Sequence, residues 1–524
     1  MDHLPEALFR AADTRAADRR ATAMDGGSAE REAVPTGTNA GAVFPPASKH
    51  GLAGGVLMER AGGAAFALLR ERFPRARRIA VACGPGNNGG DGYVLARLAK
   101  QAGLTVTVLS PASTTELKGD AAAARAAWHK AGGTVQPFAV TPLKACDVIV
   151  DALFGTGLER PLEVEWRAAI EAMNASGRPI FAIDIPSGLH ADSGRVLGAA
   201  VRAEVTLSFI GLKAGLFTGQ GREHSGLILF DDLGVPDAVL TGVTPLARRI
   251  TERNLHGLLA PRARHAHKGD AGRVLVVGGQ PGMPGAVRLT GEAAYRAGAG
   301  LVVLATHPAH AASISAARPE LIAYGVHDAQ AIQPLLAGAH ALAIGPGLGQ
   351  GEWGRGLWQA VLAADKPLVV DADALNLLAT QPSSRADWVL TPHPGEAARL
   401  LGVSVAEIQA DRFVAARAIA QRYGGVCVLK GSGTLVAIND EPSMWLCDRG
   451  NPGLATGGSG DVLTGMIAAL LAQGLAPHEA ARLGVWAHAS AGDRAAGCGE
   501  RGILASELLV PLRDVINSIV VHAA

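Results

Sequence analysis

The sequence predicts an α/β protein of two successive units, each a mostly parallel sheet covered on both faces by helices. Short β-branched runs alternate along the chain with alanine-rich stretches of helical length. Glycine is abundant, at 67 residues, while aromatic residues make up only 4%, a pairing that suits many tight strand-to-helix loops. At 524 residues the chain is also too long for one ordinary core, so two or three domains are expected.

Taken in order, the stretch through Arg20 has a helical pattern with mixed charges and alanine. Residues 26–51 are rich in Gly, Ala, Pro, Thr and Ser without apolar periodicity, and read as a loop. Strands follow at 78–83, 104–109, 147–151, 179–184 and 204–210, with helices over 93–102, 121–130 and 164–174 between them. The second unit opens at Arg273-Val-Leu-Val-Val-Gly-Gly and continues with strands at 301–305, 341–345, 367–370, 388–391 and 426–430. Residues 234–254 carry Pro236, Pro245 and no strand signal, which places the boundary there and divides the chain into 1–242 and 243–524.

The charge balance excludes some functions. Forty-eight basic and 47 acidic side chains leave a net charge of +1, no field for gripping nucleic acid or an anionic membrane, so neither is an expected partner. Cys83, Cys146, Cys427, Cys447 and Cys498 form no CxxC pair and no zinc spacing, and read as buried thiols in a reducing compartment. The start, Met1-Asp-His-Leu-Pro-Glu, lacks the apolar core of a signal peptide. The best apolar run, 462–472, is short and contains Gly465. A cytoplasmic location is expected.

Three strand ends in the first unit carry chemistry. Gly84-Pro-Gly-Asn-Asn-Gly-Gly-Asp-Gly lies between a strand and a helix, where glycines admit a phosphate and a helix start offers free amides. It contains GxGxxG, which alone is also a tight turn. The next strand ends Leu109-Ser110-Pro111 without the carboxylate that a dehydrogenase uses on the ribose. Asp151-Ala-Leu-Phe-Gly-Thr-Gly-Leu-Glu-Arg-Pro and Asp184-Ile-Pro-Ser-Gly end two further strands. Each Asp alone is ordinarily a turn or cap residue, but ligands gather at the carboxyl ends of parallel strands, where the three loops could converge.

With Leu57-Met-Glu-Arg-Ala-Gly and Gly211-Leu-Lys-Ala-Gly-Leu, these segments resemble the NAD(P)HX epimerase family, the YjeF N-terminal domain, and imply a Rossmann-like three-layer unit. The resemblance implies that Asn87, Asn88, Gly89, Gly90 and Asp91, together with Gly155, Thr156, Gly157, Leu158, Glu159, Arg160 and Pro161, contact a hydrated dinucleotide. It also implies potassium held by Asn88, Asp151 and Ser187, all of which offer the oxygen that hard cations prefer. Asp184 is the implied proton-transfer group and Lys213 a candidate helper; a solvated loop lysine is the plain alternative for Lys213.

In the second unit, Asn451-Pro-Gly-Leu-Ala-Thr-Gly-Gly-Ser-Gly-Asp runs into an apolar helix beginning near Asp461. Amides at such a start stabilise a phosphoryl group in transfer, and Asp461 is placed to deprotonate a hydroxyl. Lys430-Gly-Ser-Gly-Thr offers a nucleotide loop, although a hairpin with a solvated lysine would look alike. Thr391-Pro-His-Pro-Gly-Glu displays His393 and Glu396 on a stiff turn, with a structural histidine as the default reading, and Ile344-Gly-Pro-Gly-Leu-Gly is another glycine turn.

From His267-Lys-Gly-Asp onward this set resembles the ADP- or ATP-dependent NAD(P)HX dehydratase family, the YjeF C-terminal domain, within the ribokinase-like α/β superfamily. The resemblance implies that Ala286, Gly347, His393 and Asp461 meet the hydrate, and that Lys430, Gly431, Ser432, Gly433, Thr434 and Gly460 hold the adenine nucleotide. Magnesium is implied, with Glu396 organising it through water, and ADP rather than ATP. The function so implied is bifunctional repair. The first unit epimerises R- and S-NAD(P)HX, and the second dehydrates the S form with ADP, giving NAD(P)H, AMP and phosphate. Expected partners are thus the small molecules NADHX or NADPHX and ADP, in a homo-oligomer. The alternative is a small-metabolite kinase fused to a non-catalytic dinucleotide-binding module.

Overall fold

The computed structural model describes residues 3–23, 54–111 and 116–520; the loop expected at 26–51 lies outside them. The chain divides into two compact units, His3–Ala247 and Arg248–Ala524. In the first the strands are β1 (Ala7–Phe9), β2 (Arg78–Cys83), β3 (Thr105–Ser110), β4 (Val135–Pro137), β5 (Val148–Ala152), β6 (Ile180–Ile183), β7 (Val205–Phe209), β8 (Leu212–Lys213) and β9 (Leu227–Asp231). Seven of them form one sheet in the order β4-β3-β2-β5-β6-β7-β9, every pair parallel.

Parallel strands need covering on both faces, and β2 shows how that is met. Ile79, Val81 and Cys83 enter one core, whereas Ala80 and Ala82 enter another on the opposite face. The chain leaves β2 outward through β3 and β4, then returns to the other side of β2 at β5. Neighbouring loops therefore part between the ends of β2 and β5, opening a crevice there.

The second unit repeats this winding. Its strands are β10 (Ala247–Arg249, whose first residue closes the first unit), β11 (Arg273–Val277), β12 (Leu301–Thr306), β13 (Ile322–Gly325), β14 (Ala341–Ile344), β15 (Leu368–Val370), β16 (Trp388–Leu390), β17 (Val426–Leu429), β18 (Thr434–Ile438) and β19 (Met444–Cys447). The order β13-β12-β11-β14-β15-β16-β17 is parallel, and β18 and β19 are added antiparallel. Here the crevice opens between β11 and β14. The helix Ser459–Ala472 packs so tightly on the helix Pro284–Arg296 that a Cβ on Gly465 would lie 2.0 Å from the Thr290 carbonyl oxygen. That contact is why a glycine interrupts the apolar run.

Four of the details that differ from the sequence reading bear on the sites or on its stated expectations. The helix after the first glycine loop starts at Asn87, not 93, so Asn87 to Asp91 form its first turn. Asn-Asn-Gly-Gly has poor helix propensity, but a Cβ on Gly89 would meet the Gly84 carbonyl oxygen at 2.1 Å, so glycine is required there. The helix carrying Asp461 likewise begins earlier, at Ser459. A short strand, Ala247–Arg249, stands where no strand signal is legible. Its place is set by distant partners: the Ile250 N–H donates to the Leu446 carbonyl, and buried Arg249 pairs with Asp448 at 2.7 Å. Finally, four cysteines are buried but Cys498 is exposed, because it ends a 3-10 turn beyond the helix Pro477–Ala495. Among the described residues no helix is long and apolar enough to cross a membrane.

Candidate active sites in the two units

In the first unit the three strand-end loops converge. A Cβ on Gly155 would lie 3.1 Å from Asp184 Oδ2 and 3.4 Å from Asn88 Cβ, so the missing side chain leaves open space between those two groups. Asp184 adopts φ +68°, a left-handed conformation costing a non-glycine residue about 1–3 kcal/mol. It is pinned there by its N–H, which donates to the Leu207 carbonyl at 2.7 Å. Lys213 is fully buried rather than solvated. Its Nζ donates to Asp184 Oδ1 at 2.5 Å and to the Phe209 carbonyl at 2.9 Å. Asp184 thus has one oxygen committed to a cation and the other facing the opening.

Behind this pair lies a second polar group. Asp151 is fully buried and accepts from the Ser187 hydroxyl at 2.6 Å, the Ser187 N–H at 2.8 Å and the Leu153 N–H at 3.2 Å. Burial pushes its carboxyl up to about 6, against the pull of those neutral donors. Among the described residues it has no ion pair. Asn88 is 7% exposed, and both of its side-chain amide atoms lack a partner. Such an orphaned pair is costly unless something else completes it.

Two further carboxylates are coupled to Lys213: Asp91, one of the expected dinucleotide contacts, and Asp18, which the sequence reading does not single out. Asp91 is raised well above the carboxylate range, by burial and then by the charges of Asp184 and Asp18. Asp18, on the helix Ala11–Ala23, is pushed up to about 6, by burial and by Asp184, with Lys213 opposing. No motif marks Asp18; in sequence it is one charge on an amphipathic helix. Of the remaining expected residues, Gly157, Glu159, Arg160 and Pro161 lie on the exposed side of their loop, and Arg160 pairs with Glu163 at 3.5 Å.

In the second unit, loops after β11, β14, β15, β16 and β17 form one rim. A Cβ on Gly347 would lie 3.4 Å from Ala286 Cβ, so these two expected residues are neighbours across the crevice. At the other end of the rim, Lys430 Nζ donates to Asp371 Oδ1 at 2.7 Å and lies 3.9 Å from Glu396 Oε2. A Cβ on Gly460 would stand 3.3 Å from that Nζ, which brings the Lys430 loop to the start of the Asp461 helix. The loop 430–434 is indeed a hairpin, between antiparallel β17 and β18, but its lysine is enclosed rather than solvated. Buried Arg412 braces the hairpin through the carbonyls of Leu429 and Lys430 at 3.2 Å.

Asp371 is the residue that sequence reasoning missed. It follows β15 as Asp371-Ala-Asp with no glycine signature, yet it accepts from Lys430 and, at 2.8 Å, from the Thr464 hydroxyl. The next residue, Ala372, has φ +47°, so strain marks this site as it marks Asp184. Burial would raise Asp371, but the charge and hydrogen bond of Lys430 together with the hydroxyls of Thr464 and Thr391 hold the carboxyl below its ordinary value. Burial, then repulsion from Asp371, pushes Asp461 up to about 7. Glu396 also stands at about 7, raised by burial, with Lys430 pulling down and Asp371 pushing up. His393 caps the helix Pro394–Leu401, its Nδ1 accepting from the Gly395 N–H at 2.9 Å while Glu396 accepts from the His393 N–H at 2.8 Å. Burial and Lys430 lower its pKa, keeping it neutral with Nε2 as the protonated nitrogen. It has the structural role foreseen for a lone histidine while its ring stays half exposed on the rim.

His488 supports the helix start from behind: its Nε2 lies 2.9 Å from the Ser459 carbonyl oxygen. Burial lowers its pKa to about 4 from an ordinary 6.5. A group depressed in the fold takes up protons more readily when unfolded, so stability is lost as pH falls through that window. Thermal melts should show a loss of order 3 kcal/mol between pH 6.5 and 4, largely absent in His488→Gln. An equally steep acid limb in that variant would remove His488 as the cause.

Two family models cover most of this geometry: the YjeF-related protein N-terminus matches residues 54–215, and NAD(P)H-hydrate dehydratase matches 274–512. The bifunctional NAD(P)H-hydrate repair enzyme Nnr of Coxiella burnetii is 48% identical over 462 residues, 88% of this chain and 94% of that protein. The chain belongs to the bifunctional NAD(P)H-hydrate repair enzymes. The Escherichia coli enzyme of the same name is also 48% identical, over 88% of this chain and 89% of its own length. The solved ADP/ATP-dependent NAD(P)H-hydrate dehydratase from Bacillus subtilis, co-crystallized with ATP/Mg2+, is 33% identical with a TM-score of 0.46, covering 51% of this chain and 97% of that one. As a repair enzyme of this family the chain is both an epimerase and a nucleotide-dependent dehydratase of NAD(P)H hydrates.

Proposed function

We propose that residues 1–242 of this repair enzyme interconvert R- and S-NAD(P)HX, and that residues 243–524 dehydrate the S form with ADP, releasing NAD(P)H, AMP and phosphate. The observation that carries this reading is a repeated device. At the strand ends of each sheet a lysine shielded from solvent is tied to an aspartate beside a glycine-opened space, fully buried Lys213 to Asp184 and part-buried Lys430 to Asp371.

In the epimerase, the loops Asn87–Asp91 and Gly155–Pro161 embrace the hydrate. Asp184 gives and takes the proton that the interconversion moves, while Lys213 holds its other oxygen and its charge. The orphaned amide of Asn88 and the buried carboxyl of Asp151, which has no ion pair among the described residues, fit a hard monovalent cation, with Ser187 as third oxygen donor. Potassium there supplies positive charge to a dinucleotide whose phosphates the nearly neutral chain must hold by local devices.

In the dehydratase, Ala286, Gly347, His393 and Asp461 line the hydrate side. The hairpin Lys430–Thr434 and Gly460 hold the nucleotide, whose phosphates take positive charge from Lys430 and the amides of the Ser459–Ala472 helix start. Asp461 removes the proton from the ring hydroxyl, which accepts the phosphoryl group, and elimination of phosphate restores the dihydronicotinamide ring. Magnesium fits this rim because Glu396 and Asp461, both raised by burial, are relieved by an added cation; it neutralises the transferring phosphoryl oxygens. The proposal extends to a homo-oligomer in the cytoplasm.

Incubating the full chain with a mixture of both epimers of hydrated NADH, ADP and magnesium tests this. Complete recovery of the dihydronicotinamide absorbance is expected. Recovery limited to the S fraction removes the epimerase half, and no recovery favours a small-metabolite kinase.

A further inference from the structure

The geometry points to the N-terminal strand and helix, Ala7–Phe9 and Ala11–Ala23, as a wall of the epimerase cleft, with Arg15 as the positioning residue that holds the 155–161 loop in place. The inference rests on the assignment of the Asp184 cleft to epimerisation, and deepens it with a segment lying before residue 54, where the matched family model begins.

The segment is fastened to the buried Lys213 by register. β1 pairs parallel with β8, and Phe9 stands opposite Lys213. The Ala11 N–H then donates to Asp192 Oδ1 at 2.6 Å, fixing where the helix starts. The helix passes directly over Gly211, where a Cβ would lie 3.0 Å from Thr14 Cγ2 and 3.1 Å from Phe9 Cδ2. Near its far end Arg20 donates to the Val239 carbonyl at 3.1 Å. Buried Ala17 and Ala21 join the same core as Met58, Tyr93 and Val94, which lie on the two helices beside the Asn87–Asp91 turn. The helix is thus packed, paired and tied along its length.

From this platform Arg15 reaches the loop. Its Nη1 donates to the Thr156 carbonyl at 2.6 Å, and its Nη2 to Glu159 Oε1 at 3.1 Å. The loop needs such a tie, because Gly155-Thr-Gly can adopt many conformations, and ordering it on ligand binding would weaken affinity. A planar guanidinium holds its two donors in a fixed fork that spans the carbonyl and the carboxylate, whereas a lysine offers its donors from a single point. Since Gly155 borders Asp184 Oδ2, holding Thr156 also fixes the width of the opening in front of that carboxylate. Three residues on, the same helix face carries Asp18, whose charge couples to Lys213 and Asp184. One helix therefore carries both a charge coupled to the proton-transfer pair and the arginine that ties the 155–161 loop.

The test uses the full chain as Arg15→Ala, Arg15→Lys and, in parallel, Asp184→Asn, with R-to-S interconversion followed by chromatographic separation of the epimers. Arg15→Ala is expected to raise KM about 5–20-fold, the scale of losing part-exposed charge-assisted hydrogen bonds, with kcat changed by less than about 3-fold. Dehydration of the S epimer should be untouched, and Arg15→Lys should recover part of the loss by restoring one bond. Unchanged KM in Arg15→Ala, or a fall in kcat that tracks a lowered melting temperature, overturns the inference. If Asp184→Asn also leaves interconversion intact, the cleft assignment itself fails; if only Asp184→Asn is inactive, Arg15 alone is dismissed.

Discussion

Replacing Asp461 with asparagine is expected to slow dehydration of the S hydrate by about 10²–10⁴-fold, the range contributed by a general base. The substitution keeps size and hydrogen-bonding capacity at the first turn of the Ser459–Ala472 helix, so dinucleotide affinity should be preserved. The pH profile separates a base from a mere spacer. Asp461 stands at about 7, so in the native enzyme kcat/KM should rise with pH through that region as the carboxyl loses its proton. Glu396 stands at about 7 as well and shares Lys430 and Asp371 as neighbours, so the rise belongs to the interacting set rather than to one group. The asparagine variant should lose the part of that limb due to Asp461. Steady-state kinetics on the S epimer across pH 5.5–8.5, a span of about 1.5 units either side of that value, would show it. Unchanged turnover in the variant removes Asp461 as the base.

Asp184→Ala should abolish epimer interconversion while dehydration of the S epimer survives. The expected loss is again about 10²-fold or more, because the substitution removes the proton-transfer group itself. It also leaves Lys213 buried without its carboxylate, and breaking a buried pair in this way costs about 3–5 kcal/mol. Asp184→Asn retains an acceptor for Lys213 and so isolates chemistry from folding. Loss of epimerisation in both variants, with S dehydration intact, is the result that assigns the residue. Equal loss of both activities in the asparagine variant would mean that the two units do not work independently.

Much of this site was legible before any coordinates. Asn88, Asp151, Asp184 and Ser187 lie in segments at strand ends whose composition announces them, in a helix's first turn, at the end of β5 and in the turn after β6, and the fold brings them near Gly155. Close backbone approach explains one glycine in each unit: Gly89 by the Gly84 carbonyl and, in the second unit, Gly465 by that of Thr290. Lys213 and Lys430 were ambiguous, since a glycine-flanked lysine reads the same whether solvated or enclosed, and only their aspartate partners decide it. Asp371, Asp18 and Arg15 carried no signal, because each is an ordinary residue for its element.

The sequence by itself determined two α/β units, the positions of most parallel-sheet strands and the loops able to meet phosphate, because periodicity and glycine spacing act over a few residues. The tertiary structure alone decided which strand ends are neighbours, and hence which charges meet. Lys213 and Asp184 are 29 positions apart, Lys430 and Asp371 59, and Thr464 and Asp371 93. Separations of that size leave no local pattern. They are set by the winding order of each sheet, in which the return past the first strand opens a crevice and lines it with residues from distant parts of the chain.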